Sequence, residues 1–176
     1  MTSTKSIIVS NRGEADITKR EDFTPMKLLL YDNLDYIFVP FWSWYIPVEI
    51  FENWEVIVFH CTDLPYGRGG SPLQNLIIRG HKKTMISAIR CVKEIDAGAI
   101  YCRSELDISY GTADEIYDRA DKIIREKMIP YILEIRPKPR PQEGKPIYFE
   151  RWKCSKEDVI RAMETDYEDI GCSSTS

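Results

Sequence analysis

The sequence is poor in the residues that would build a metal centre or a disulfide framework. Among 176 residues there are only two histidines, His60 and His81, which argues against a His-rich metal site, and we expect none. The five cysteines are odd in number and never form a C-x-x-C pair, which argues against a zinc ribbon and a disulfide scaffold, and reduced thiols in a cytoplasmic protein are expected. No long hydrophobic run is present. The greasiest stretch, Tyr36 to Val48, is broken by Pro40, Ser43 and Pro47 and falls short of the ~20 residues that cross a bilayer. The start, Met1 to Arg12, has too short an apolar run for a signal peptide. We therefore expect no membrane association. Positive charge is also in deficit: 24 Lys and Arg against 28 Asp and Glu leave a net charge of −4. That balance lacks the basic footprint of a general nucleic-acid binder.

What is there is ordinary globular material, 43% hydrophobic and 30% charged, enough to bury a core at this length. Short apolar runs at Ser6–Ser10, Tyr36–Val39 and Glu55–Phe59 predict buried strands, separated by short helices near Pro25 and Pro47. Thr84–Glu94 and Ile100–Ile108 predict two further strands joined by a tight turn at Asp96-Ala-Gly98. Ser71 and Pro72 open a helix. Thr112 and Glu115 form a capping box for another, which Pro130 should end or kink. Arg136 to Pro146 is too proline-rich for helix or central strand and reads as an extended connection. Tyr148 and Phe149 suggest an edge strand, and Ser155 with Asp158 a last helix. Strands followed by helices give an α/β class: a mostly parallel sheet, an antiparallel extension and flanking helices.

Four places could carry chemistry. His60 follows directly on an apolar strand, at the carboxyl end where open α/β sheets bind ligands, and an imidazole there exchanges protons near neutral pH; a histidine merely bonded to loop backbone is the alternative. Asp96 would orient that imidazole if the two meet, although aspartate is also a common turn residue. The Tyr66–Pro72 loop sets Arg68 among Gly67, Gly69 and Gly70 before a helix start, an anion cradle or a plain flexible loop. Phe41 to Tyr45 offers aromatics to a flat ligand, or to the core.

These pieces occur in a recognisable order. The run His60-Cys-Thr-Asp-Leu-Pro-Tyr-Gly-Arg-Gly-Gly-Ser-Pro72 resembles the His-x-Ser/Thr-x-Leu-Pro…Arg-Gly…Pro loop of the folate-dependent formyltransferases. Glu94-Ile-Asp96-Ala-Gly98-Ala-Ile100 is similar to their Asp-x-Gly-x-Ile loop, and Tyr148-Phe149-Glu150-Arg151 to an aromatic-Arg segment near the end of their catalytic domain. With the aromatic run Phe41 to Pro47, the likeness narrows to the short sugar N-formyltransferases of pseudaminic-type (nonulosonic) acid pathways. The resemblance implies a truncated Rossmann-like fold and transfer of a formyl group from 10-formyltetrahydrofolate, without metal, to a primary amine on an amino sugar. Other amines (a glycinamide ribonucleotide, a peptide-synthetase substrate) and folate binding without catalysis are the alternatives. It implies His60 and Asp96 as catalytic residues, and a pterin site near Trp42, Ser43, Trp44, Ile46, Arg90, Val92 and Glu94. The acceptor would approach Arg68, Gly69 and Gly70, with Arg68 meeting an anionic group.

Two departures from the family pattern stand out. The family's Asn two residues before the histidine is Val58 here, and Thr62 is expected to supply the missing oxyanion donor, unless it only braces the loop. The usual first strand-helix unit has no counterpart expected here, since Ser6–Ser10 fits a later strand of the family, and the expected division is a catalytic domain over 1–166 and a flexible tail over 167–176. With the tRNA-modifying members' downstream domain unmatched and the charge at −4, a small-molecule acceptor and no nucleic acid are expected, and self-association is left open.

Overall fold

A computed structural model describes residues 4–152 of the chain. The expected helix after Ser155 and the tail over 167–176 lie outside the described residues. Three parallel strands come first: β1 (Ser6–Ile8), β2 (Tyr36–Val39) and β3 (Val56–His60). Short helices α1 (Pro25–Leu28) and α2 (Val48–Phe51) lie in the connections between them. After a further strand, β4 (Tyr66–Gly69), and helix α3 (Pro72–Ile78), the long hairpin β5 (Lys83–Arg90) and β6 (Ile100–Asp107) joins β3 antiparallel. The five-stranded sheet has the order β1-β2-β3-β5-β6, the predicted parallel sheet with an antiparallel extension.

Alternation along the strands explains why both faces are covered. Ile37, Val39 and Val56 point into one apolar cluster with Leu28 and Ile50 from α1 and α2. Phe38 and Ile57 point into the other, with Leu73 and Leu76 of α3 and Ile116, Ala120 and Ile132 from the later helices. Successive side chains of a strand face opposite ways, so a sheet with two apolar faces reads as a continuous apolar run. That is the pattern seen at Tyr36–Val39.

Helix α4 (Ala113–Ile123) starts on the predicted capping box, with Thr112 Oγ1 accepting from the Glu115 amide and Glu115 accepting from the Thr112 amide. The helical path does not stop at Pro130. It passes through a π-helical turn at Ile124–Met128 into α5 (Ile129–Ile135), the widened turn falling just before the residue that lacks an amide.

The glycine-rich segment is not the open loop expected from its composition. Tyr66–Gly69 is β4, parallel to β7 (Ile147–Phe149) in a separate two-stranded sheet. Gly67 has φ +77°, and a Cβ there would lie 2.7 Å from both Phe149 Cε2 and Thr62 Cγ2. The glycine serves close packing against Phe149. Ser71 also departs from expectation: at φ 48° it gives α3 no side-chain cap, and its Oγ accepts the Trp152 amide at 3.0 Å.

Candidate active site

His60 is the last residue of β3, and only 8% of it is exposed. Its Nε2 lies 2.7 Å from the carbonyl oxygen of Gly67. A carbonyl can only accept, so Nε2 carries the proton and donates. Nδ1 faces Asp96 Oδ2 at 3.6 Å, longer than a hydrogen bond. In the neutral ring Nδ1 therefore holds a lone pair toward the carboxylate side, and in the charged ring a proton. The edge available for proton exchange is the one facing Asp96.

Asp96 sits in the β5–β6 connection with φ +54°, a left-handed conformation that aspartate tolerates better than most residues. Its Oδ2 accepts the Gly69 amide at 2.8 Å. Chain segments remote in sequence thus meet: the end of β3, the end of β4 and the turn after β5.

Thr62, expected as the replacement oxyanion donor, is fully buried, and its hydroxyl donates to the same Gly67 oxygen at 3.3 Å. In this arrangement the hydroxyl braces the carbonyl that anchors His60. Thr62→Val keeps the volume and removes about 1 kcal/mol of hydrogen bonding. We expect a melting temperature lower by roughly 2–4 °C and kcat close to that of the parent. A tenfold loss of kcat in a fully stable protein would instead assign the hydroxyl to the reacting centre. Val58, at the position of the family amide, packs beside Leu64, Ile89 and Ile100 and offers no polar group.

Arg68 does not present its charge to solvent. It is 8% exposed, and its guanidinium is surrounded by acceptors. Nε and Nη2 donate to Gln142 Oε1 at 3.1 and 2.9 Å, and Nη1 donates to Glu94 Oε1 at 3.1 Å and the Tyr148 hydroxyl at 3.2 Å. The anionic partner expected from a substrate is supplied by Glu94 of the same chain. Gly69 contributes its amide to Asp96, while a Cβ on Gly70 would lie 2.7 Å from that of Arg151.

The residues expected around a pterin fall into two groups. Trp42 stacks edge-on against Phe23 and Trp44, with centroids 5.5 and 5.0 Å apart, and Ser43 donates its amide to Asn11 Oδ1 at 3.0 Å. Trp42 and Ile46 share one apolar cluster with Cys91, which leads into exposed Val92. Trp44 is exposed. Arg90 is held by Glu55 at 2.7 Å and lies over the Tyr101 ring, and Glu94 belongs to the Arg68 network. Two surface hollows lie elsewhere, one of about 340 Å³ beside Tyr31 and Trp54 and one of about 470 Å³ beside Tyr110 and Lys122. Neither is lined by His60 or Asp96.

A thiol route is disfavoured by burial. Cys61 follows His60 directly, yet burial pushes its thiol up to about 12, and Cys91 is likewise pushed up to about 12 by burial and by the charge of Asp96. Neither supplies a thiolate near neutral pH. Among the described residues no His, Cys, Asp and Glu cluster has the make-up of a metal site, and no helix is long and apolar enough to cross a membrane.

Sequence reasoning missed Gln142 and the Tyr148 hydroxyl. Gln142 Nε2 donates to the carbonyls of Asp96 at 2.6 Å and Gly98 at 2.9 Å, and the Tyr148 hydroxyl donates to Glu94 at 2.8 Å. Gln142 lies in the proline-rich connection, where no local pattern marks one residue over another.

No family profile matches the chain. The structure superposes on methionyl-tRNA formyltransferase from Clostridium thermocellum with a TM-score of 0.81 at 43% identity, covering 92% of this chain and 80% of that one. It also superposes on the formyltransferase PseJ from Anoxybacillus kamchatkensis, solved with UDP-4,6-dideoxy-4-formamido-L-AltNAc and tetrahydrofolate. That match has a TM-score of 0.64 at 17% identity and covers 91% of this chain and 90% of PseJ; at that identity it is a likeness of fold. In sequence the chain is 29% identical over 114 residues to the methionyl-tRNA formyltransferase of Mycoplasma capricolum subsp. capricolum, covering 60% of this chain and 36% of that enzyme. Curated relatives are matched over 25% to 51% of their own length.

Proposed function

We propose, from the premise that this chain belongs to the folate-dependent formyltransferase family, that it transfers the formyl group of 10-formyltetrahydrofolate to a primary amine. The observation that carries this reading is the His60–Asp96 pair, Nδ1 to Oδ2 at 3.6 Å, at the carboxyl end of β3. The neutral amine attacks the formyl carbon, the carbonyl oxygen takes up negative charge, and collapse breaks the bond from the formyl carbon to N10 of the folate. The products are a formamide and tetrahydrofolate, so one proton moves from the amine to N10. His60, anchored through Nε2, meets this chemistry with Nδ1: protonated, it donates to the developing oxyanion; neutral, it accepts the amine proton. Asp96 orients the ring and stabilises its charged form. The pterin is assigned to the side of Trp42, Ile46 and the 90–94 segment, where aromatic and apolar side chains suit a flat ring.

For the acceptor we favour the amine of an aminoacyl group over the amino sugar expected from sequence. The support is identity, 43% to a methionyl-tRNA formyltransferase against 17% to PseJ. The amino-sugar reading keeps one observation in its favour, the net charge of −4, which suits a polynucleotide poorly. The full chain, mixed with 10-formyltetrahydrofolate and either methionyl-tRNA or a nucleotide-linked 4-amino sugar, is expected to release tetrahydrofolate with the aminoacylated RNA. Release with the sugar alone would reassign the acceptor. Folate binding without release, for any primary amine, would overturn formyl transfer.

A further inference from the structure

The proline-rich connection over 136–146 does more than link α5 to β7. At its centre Arg140 makes a two-bond antiparallel bridge to Ile100: the Ile100 amide donates to the Arg140 carbonyl at 2.7 Å, and the Arg140 amide donates to the Ile100 carbonyl at 2.9 Å. This fastens the connection to the first residue of β6, just past the turn that carries Asp96. Pro139 and Pro141 flank the bridging residue, and prolines fix φ and bring no amide to compete for partners.

Two residues on, Gln142 uses its whole side-chain amide. Nε2 donates to Asp96 O at 2.6 Å and Gly98 O at 2.9 Å, while Oε1 accepts Arg68 Nε at 3.1 Å and Nη2 at 2.9 Å. The orientation of the amide is fixed by its surroundings, since the reverse would set oxygen against two carbonyls and NH2 against a guanidinium. The turn it grips is one that needs gripping. Asp96 stands at φ +54°, and a residue in a sparsely populated conformation stays there only when its surroundings over-determine it. The Gly69 amide holds the carboxylate at 2.8 Å, and Gln142 holds the backbone on both sides of the turn.

We propose that Gln142 is a positioning residue of the active site, clamping the Asp96–Gly98 turn to the Arg68 guanidinium and so setting the carboxylate against His60. Its role in turnover rests on the formyl-transfer reading above; its effect on His60 does not. Small displacements of reacting groups are costly, about 10²-fold for 1 Å. Gln142→Glu keeps size and the acceptor for Arg68 but turns an oxygen toward two carbonyls, whereas Gln142→Ala removes the clamp altogether.

The test uses the full chain and two readouts. In steady-state turnover both variants should lose roughly 10- to 100-fold in kcat, with KM for the folate moving less than about threefold. In nitrogen-15 spectra of the imidazoles the ring resonances of His60 should shift while those of His81 stay; with only two histidines in the chain, the second is an internal control. A residue that merely stabilises the fold would lower the melting temperature and leave both the kcat of the folded protein and the His60 resonances where they were. That result, in either variant, overturns the proposal. Should Gln142→Ala fail to fold, Gln142→Glu decides. Should the unaltered chain transfer no formyl group, that reading falls, and the imidazole spectra still decide the clamp.

Discussion

His60→Asn is expected to lower kcat for formyl transfer by roughly 10²–10⁴, the range contributed by a positioned proton-transfer group. Asparagine's amide ends at the position of the inner ring nitrogen and falls short of the Gly67 carbonyl, which His60 Nε2 reaches at 2.7 Å, so the melting temperature is read beside kcat to separate the lost anchor from the lost chemistry. The substitution puts an amide, neither base nor cation, where Nδ1 faces Asp96 at 3.6 Å, and so removes both the base for the amine proton and the cationic donor for the oxyanion. Asp96→Asn should cost nearly as much. Asparagine is comfortable at φ +54° and its amide oxygen can still accept the Gly69 amide, so this variant isolates the charge from the geometry. The double variant should be little slower than His60→Asn alone, since residues acting as one unit lose activity non-additively. The measurement is kcat and KM for all three proteins beside their melting temperatures. Near-normal turnover by His60→Asn would remove the histidine from the mechanism, and fully additive losses would mean that Asp96 acts independently of it.

The second large effect is structural. Gly98→Ala should cost about 3 kcal/mol, the upper end of the usual overpacking range, and at roughly 2–4 °C per kcal/mol for a chain this long its melting temperature should fall by roughly 6–12 °C. A Cβ on Gly98 would overlap the carbonyl oxygen of Arg90 and lie 2.8 Å from its carbonyl carbon. Those are backbone atoms of β5, and they cannot rotate aside as a side-chain tip can. Relief requires the connection to move away from the strand. That motion breaks the Arg90 amide's bond to Ala99 O at 2.9 Å and the grip of Gln142 on Gly98 O at 2.9 Å. Turnover should therefore fall along with stability, because Asp96 travels with the turn. Thermal melts and kcat on the same preparation test both parts; an alanine variant with the parent melting temperature would contradict the packing argument.

Much of the sheet was legible in the sequence because its signals are local. An apolar run such as Tyr36-Ile-Phe-Val39, closed by a proline, has few other uses, and its alternation onto two apolar clusters follows from strand geometry. The capping box at Thr112 and Glu115 was legible for the same reason, since its partners lie within one helical turn. The segment Tyr66 to Gly69 was not. Two glycines flanking an arginine, with a third just after, look like a loop until Phe149, about 80 residues away, provides the strand against which they pack.

The site divides along the same line. The sequence by itself determined that an imidazole would stand at the end of an apolar strand and that an aspartate would occupy a turn, because both depend on neighbours in the chain. Only the tertiary structure decided what these groups do to one another. It set Nδ1 rather than Nε2 toward Asp96 by giving Nε2 to the Gly67 carbonyl, turned Arg68 from a waiting anion site into an internal brace of Glu94 and Gln142, and brought a glutamine from a proline-rich connection onto the turn that carries Asp96. The reason is the reach of the forces involved. Hydrogen-bonding and charged groups act over a few ångströms in space, whatever their separation along the chain, and a sequence records only the second of these distances.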